Sequence, residues 1–274
     1  MANKKTFYIE ITTLCNLSCP FCPSTTTKRN KIMDQNKFQK IINEIKPYSQ
    51  LVYFHLLGEP VLHPKFKEYV LYCIDQGLKV GLTTNGVKLS NIDDELLMNN
   101  SFEKINISLQ CLIDFKEEDR VQYLINLHDF LKNKHCLSPL TPINLRLWNN
   151  KKNNDVNKMN ENLINLITSW IENEKYINVR FSYDDEFEWP SLSNEKTIPS
   201  NCLGGKRQLG ILNNGDVVLC CLDYLGQTKL GNIFDESLKD ILDGKVYKDA
   251  INSFATNKLY FELCQKCSYR SRFS

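Results

Sequence analysis

The sequence predicts an α/β fold built on a parallel sheet. Six short β-rich runs alternate with helical periodicities between residues 6 and 181, and polar or glycine-bearing turns follow the strands. Strand–helix–strand alternation gives parallel strands joined by right-handed crossovers. A further observation is a composition shift after Tyr183, followed by a separate group of cysteines from residue 202 onward. It divides the chain into residues 1–183 and a smaller C-terminal part, 184–274.

Residues 6–13 read as the first strand. Residues 36–45 carry Phe38, Ile41, Ile42 and Ile45 at helical spacing. Residues 51–56 form a second strand. Residues 64–77 form a helix with Gly77 as its stop. Residues 78–83 are a third strand, closed by the turn Thr84-Asn85-Gly86. A short helix over 92–99 precedes a fourth strand, 104–109. A helix over 117–133 leads to a fifth strand, 142–147. The Asn- and Lys-rich stretch 149–162 reads as a loop entering a helix at 161–172, and 177–181 is a sixth strand. Residues 184–201, with Trp189-Pro190 and Pro199, read as a linker over the sheet's ligand-binding end. Periodicity does not choose between an open sheet and a barrel.

The chain has 274 residues, enough for a large core, and a formal net charge of +2. That charge implies no broad basic surface for nucleic acid or anionic membrane. No apolar run reaches transmembrane length and none marks a signal segment at the N-terminus, so a cytoplasmic protein is expected. Eleven cysteines are many for disulfides in that compartment, and metal binding accounts better for most of them.

Cys15, Cys19 and Cys22 follow the first strand at Cys-x3-Cys-x2-Cys spacing. Three thiolates on one loop can hold three irons of a cubane and leave the fourth iron open. The competing reading is a zinc knuckle or buried thiols. Zinc needs four closed ligands, and no fourth Cys or His lies near in sequence. The pattern, with Phe21 at its aromatic position, resembles the signature of the radical S-adenosylmethionine (SAM) superfamily. The resemblance implies a six-stranded partial (β/α) barrel, with a [4Fe–4S] cluster whose open iron is chelated by SAM. It further implies cleavage of SAM to a 5′-deoxyadenosyl radical that abstracts a hydrogen atom.

Gly58-Glu59-Pro60 after strand two matches that family's Gly-Glu-Pro element, where a carboxylate can accept from the methionine ammonium group. Thr84-Asn85-Gly86 is similar to its Thr-Asn-Gly element. Ser108 ends strand four, where the family commonly uses a Ser. Alternation puts Asn106, Ser108 and Gln110 on one face. Arg146, inside the apolar fifth strand, suits the methionine carboxylate, a substrate group or an internal salt bridge. Tyr8 and Glu10 share a face of strand one. With His55 they are the candidate substrate contacts.

In the C-terminal part, residues 211–219 read as a hairpin with Asn214-Gly215 at the turn. Cys202, Cys220, Cys264 and Cys267 could hold zinc or a [4Fe–4S] cluster; spacing does not decide. Beside the first triplet the set resembles the auxiliary-cluster domains of SPASM and twitch proteins. The residues 230–233 and a helix over 237–242 match that family's intervening piece. The full SPASM pattern has two further cysteines that are not found before Ser274, which implies a twitch domain with one auxiliary cluster. Gly-x4-Cys spacing selects Cys220 over Cys221, and strand alternation expects Cys221 to face away. Cys73, Cys111, Cys136 and Cys221 are expected to be small buried hydrophobes, with Cys111 placed just past strand four.

The resemblance therefore implies a radical SAM oxidoreductase with two [4Fe–4S] clusters. It would act on a small-molecule C–H bond and oxidise through the auxiliary cluster. A peptide-modifying maturase or epimerase, with Cys111 as hydrogen donor, is the second reading. A zinc-ribbon binding protein on an inactive barrel is the third. The implied partners are a small-molecule or peptide substrate and an electron donor such as flavodoxin or ferredoxin.

Overall fold

The structure is a computed structural model that describes residues 4–25, 27, 30–150, 153–197, 201–256 and 258–273. Its strands are β1 (Lys5–Ile9), β2 (Ser49–Tyr53), β3 (Lys79–Thr84), β4 (Phe102–Ser108), β5 (Ile143–Asn150), β6 (Val179–Asp185), β7 (Gln208–Ile211), β8 (Asp216–Val218) and β9 (Lys229–Asn232). Its helices are α1 (Gln35–Ile45), α2 (Phe66–Asp75), α3 (Asp94–Met98), α4 (Glu117–Leu137), α5 (Asn154–Asn173), α6 (Leu238–Asp243), α7 (Lys245–Thr256) and α8 (Glu262–Gln265). The chain forms two compact units. The first comprises Met1–Glu59, Asp75–Leu78 and Phe187–Ser274; the second comprises Pro60–Ile74 and Lys79–Glu186.

In the first unit β1 lies between β2 and β7, parallel to both, and β8 and β9 extend the sheet antiparallel beyond β7. Phe7 and Ile9 of β1 are fully buried, as are Phe38, Ile41, Ile42 and Ile45, the stripe that the helical spacing predicts for α1. Asp34 caps α1 by accepting from the Lys37 N–H at 3.0 Å. Phe54 meets Phe38 edge to face, with centroids 5.6 Å apart. The hairpin forms as predicted, with Gly215 at φ +88° in its turn.

In the second unit β3, β4, β5 and β6 are all parallel and adjacent in that order. Ile105, Ile107, Ile143 and Leu145 are fully buried on one face. The other face carries Thr83, Asn106, Asn144 and their neighbours. This parallel arrangement with intervening helices is the α/β class that the sequence predicts.

Several boundaries differ, each for a physical reason. The first strand stops at Ile9 rather than residue 13, because the Ile11 N–H folds back to the Ile9 carbonyl (2.9 Å) and Thr12 bridges Ile32. Gln110 is not on the strand: the chain turns into a 3-10 segment over Leu109–Asp114. The loop expected over 149–162 is helical from Asn154. Asn153 caps it by accepting from the Val156 N–H, and buried Asn160 donates to Asn149 at 3.0 Å. Helix α7 and strand β9 carry no prediction. Within the expected linker, Asp184 and Asp185 belong to β6, and Thr197 donates to the carbonyls of Gln265 and Cys267; Pro199 lies outside the described residues. Cys136 is exposed rather than buried. No helix among the described residues is long and apolar enough to cross a membrane.

Candidate metal and cofactor site

Cys15, Cys19 and Cys22 lie on the loop between β1 and α1, Cys15 exposed and the other two half-buried. The Cys22 N–H donates to the Cys19 carbonyl (3.0 Å), a turn that carries half-buried Phe21 between the two thiols. The Leu17 N–H lies 3.5 Å from the Cys15 sulfur, and the Ser24 hydroxyl lies 3.1 Å from that of Cys22. Gly58 packs directly on this loop. At φ +80° it is in the left-handed region, and a Cβ there would lie 2.3 Å from the Thr12 carbonyl oxygen. The next residue, Glu59, donates its N–H to the Leu14 carbonyl at 2.7 Å. The Gly-Glu element is thus bonded through its backbone to the residue before Cys15. The Glu59 side chain and Pro60 are buried.

Tyr8 and Tyr53 stack with centroids 5.1 Å apart, and His55 meets both edge-on at 5.4 and 5.7 Å. Tyr53 carried no expectation. Its spacing of two from His55 within the expected second strand, 51–56, was the signal available, although β2 itself ends at Tyr53. Glu10 is almost fully buried. Its carboxylate accepts the Asn213 N–H at 3.2 Å, and the Asn213 amide donates to the Glu10 and Ile11 carbonyls. That geometry turns the Glu10 carboxylate toward the hairpin.

Cys202, Cys220, Cys264 and Cys267 line one cavity, together with Gly204, Leu219, Asp223, Pro190 and Arg270. Cys202 receives the Gly204 N–H at 3.3 Å and Cys220 the Leu222 N–H at 3.5 Å. Burial pushes the Cys202 and Cys264 thiols up and carries Cys267 to about 12, and the neighbouring thiols add to each shift. Arg270, buried and donating to the Cys264 carbonyl at 3.2 Å, acts in the opposite direction on Cys202 and Cys264. Buried thiols that resist ionisation together become good ligands when a cationic core neutralises them. Among the described residues no three or more His, Cys, Asp or Glu side chains are gathered to hold a single metal ion. Four thiols around one cavity are a donor set that fits an iron–sulfur core.

Cys221 does not line this cavity, but it does not face away either. Its thiol is hydrogen-bonded to Cys220, and that contact is the first cause of the raised Cys220 value, ahead of burial. Gln208 lies 3.7 Å from both sulfurs. Strand alternation fails here because β8 ends at Val218 and Cys220 starts a turn whose Asp223 N–H returns to the Cys220 carbonyl. Asp223 and Arg270 were both missed; neither belongs to a spacing pattern.

In the second unit the Thr84 hydroxyl accepts the Gly86 N–H at 3.1 Å, and Asn85 accepts from Val87 at 3.0 Å. Tyr123 donates to the Asn85 carbonyl at 3.0 Å, and a Cβ on Gly86 would lie 2.1 Å from that hydroxyl. Thr83 lies on the Asn106 face, whereas Thr84 pairs in register with Ile107. Ser108 is in register with Arg146, whose guanidinium stacks on Trp148 at 4.6 Å. Cys111 is buried, and its thiol donates to the Ser108 carbonyl at 3.1 Å.

Comparison with known proteins matches these regions to two families. A profile of the Radical SAM superfamily matches residues 9–134, and one for SPASM, an iron–sulfur cluster-binding domain, matches residues 202–268. The chain is 35% identical over 96 residues to the tungsten-containing aldehyde ferredoxin oxidoreductase cofactor-modifying protein of Pyrococcus furiosus, covering 34% of this chain and 26% of that protein. It is 35% identical over 83 residues to the mycofactocin maturase of Mycobacterium ulcerans, covering 30% and 22%. The chain thus spans 26% or less of the length of either relative. Among solved structures, BtrN in complex with AdoMet and 2-DOIA superposes with TM-score 0.62 at 14% identity, over 97% of this chain and 93% of that one. The structure of anSMEcpe with bound AdoMet gives 0.62 at 16% identity, over 99% and 87%. These likenesses show a shared fold.

Proposed function

From the radical SAM match over residues 9–134 and the SPASM iron–sulfur domain match over residues 202–268, we propose that the chain is a radical SAM oxidoreductase acting on a C–H bond of a small molecule. SAM and the [4Fe–4S] cluster are its cofactors, with a further cluster in the C-terminal domain. When bound, SAM and the cluster held by Cys15, Cys19 and Cys22 would supply a 5′-deoxyadenosyl radical that takes one hydrogen atom; a cluster held by Cys202, Cys220, Cys264 and Cys267 would take up the remaining electron while the second proton leaves to solvent, a two-hydrogen oxidation.

The observation that carries the reading is the ring of Cys202, Cys220, Cys264 and Cys267 around one cavity. Four protein ligands saturate a cubane and leave no iron for substrate, which favours electron transfer over substrate ligation. In this reading Cys15, Cys19 and Cys22 hold the active cluster, and Phe21, Gly58, Glu59, Pro60, Thr84, Asn85, Ser108 and Arg146 hold and orient SAM. Tyr8, Glu10 and His55 contact the substrate. Residues 1–183 act as the radical-generating domain and 184–274 as the linker and auxiliary domain. A flavodoxin- or ferredoxin-type protein supplies the electron, in the cytoplasm.

A second reading rests on Cys111, whose thiol lies at the end of β4 beside the Asn85 turn. It makes the protein a peptide maturase or epimerase in which that thiol returns a hydrogen atom. Mass spectrometry separates the two. The oxidoreductase gives one 5′-deoxyadenosine per product and a product two hydrogens lighter than substrate. A product of unchanged mass that gains one deuterium from heavy water, and is lost in Cys111→Ala, sinks the oxidoreductase reading.

A further inference from the structure

The second unit carries a pattern that the cofactor assignment uses only in part. Parallel register sets Asn106, Asn144 and Arg180 side by side, and Ser108, Arg146 and Ser182 one step along. Paired residues of neighbouring strands share a face, and Lys104, two before Asn106, shares it as well. Three cations, Lys104, Arg146 and Arg180, therefore stand on the polar face of the four strands of this unit, with the carboxylate of Asp184 on the same face at the far end of β6.

The face beneath them is fixed. Asn106, with no exposure, donates to the Leu82 carbonyl (3.1 Å) and the Thr83 hydroxyl (3.2 Å), and accepts from the Asn144 amide (3.1 Å). Trp148 donates to the Ser182 hydroxyl at 3.1 Å while stacking under Arg146. Lys104 is half-buried. Burial first, then Arg146 and Arg180, hold its ammonium below the usual lysine range, and no carboxylate of the described residues is among the groups acting on it. Like charges gathered on a preformed polar floor are unfavourable by themselves and favourable once an anion sits among them.

We propose that Lys104 and Arg180, beside Arg146, form an oxyanion subsite that binds a phosphate or carboxylate group of the substrate. An ammonium and guanidinium forks are the donor set such groups take, the forks bidentate and the ammonium as a point charge. This rests on the proposed function, since it names a property of that reaction's substrate.

The test uses the anaerobically reconstituted full chain, with inorganic phosphate and acetate as probes at constant ionic strength, read by calorimetry. Saturable binding at one site is expected, weakened at least about tenfold, or about 1.4 kcal/mol, in Lys104→Gln/Arg180→Gln. Lys104→Arg should retain it. Lys79→Gln, which removes an exposed charge paired with Glu103, should leave it unchanged. Tighter phosphate binding points to a phosphorylated substrate, and equal acetate binding to a carboxylate. A footprint needs no variant: phosphate should shield Lys104 from acetylation in the unaltered protein. Absence of saturable binding and of shielding, or equal weakening in Lys79→Gln, overturns the subsite. SAM cleavage by the unaltered protein is measured separately. Its absence with phosphate binding intact overturns the functional reading and leaves the subsite standing.

Discussion

Gly58 shows how narrow the choice is at single positions. Its positive φ and the 2.3 Å approach to the Thr12 carbonyl leave no room for a methyl group, and the obstacle is backbone. Gly58→Ala should cost roughly 2 kcal/mol or more through strain alone. Because Glu59 bonds to Leu14 next door, relief of that strain should displace the Cys15 loop. We expect a lower Tm together with loss of iron from the first cluster. A variant that melts early but keeps its full iron would show that the Gly-Glu turn and the cysteine loop are not coupled. Gly58 was legible as part of a motif; that it is needed against Thr12, 46 positions away in the chain, was not.

Among elements, those with a clean apolar stripe were legible and those held by polar contacts were not. Helix α1 shows its four buried residues at textual spacing. Helix α5 begins in an Asn- and Lys-rich stretch, and the bond from Asn160 to Asn149 joins residues eleven apart, beyond any local period. Helix α7 is the exception: Tyr247, Ala250, Ile251 and Phe254 recur at helical spacing, a legible stripe that carried no prediction, although only Ala250 is buried. Helix α4 runs past its expected end at 133 because Lys134 is fully buried, donating to the Pro139 (2.9 Å) and Ile177 (3.1 Å) carbonyls. Burial brings its ammonium down to about 8. Between that value and the ordinary lysine range near 10.4 the unfolded chain binds more protons than the folded one. Stability contributed at this residue therefore rises with pH across that window. The urea midpoint of the native protein should gain on that of Lys134→Met between pH 8 and 10. A gap that stays flat would mean the amine keeps its ordinary pKa when folded.

For the whole molecule, the cysteine pattern was the most informative feature, because metal ligation demands residue types that nothing else at those spacings requires. Where it misled, at Cys221, the fault lay in extending a strand rule past the end of β8. The reconstituted protein should hold about eight irons, as expected for two cubanes. Cys15, Cys19 and Cys22 changed together to Ala should leave about half, as should Cys220→Ala, whereas Cys221→Ala should keep all. Full iron in Cys220→Ala with half in Cys221→Ala would reverse the ligand assignment. The grouping of 187–274 with 1–59 in one compact unit was not readable, since it depends on β7 pairing with β1 about 200 residues earlier.

That pairing has a consequence for the chain in pieces. Thr6–Ile9 is bonded on its far side to Gln208–Ile211 along its whole length, and Lys5 is tied to the carbonyls of Gly205 and Lys206. A fragment ending at residue 201 would keep β1 and lose its cover, exposing a row of unsatisfied N–H and C=O groups flanked by apolar side chains. Such an open edge is a template for the next copy. Fragment 1–201 should elute from size exclusion as polydisperse aggregate while the full chain does not. A monodisperse fragment would mean that the outer side of β1 tolerates water and that the second cysteine set was never needed to keep the first in solution.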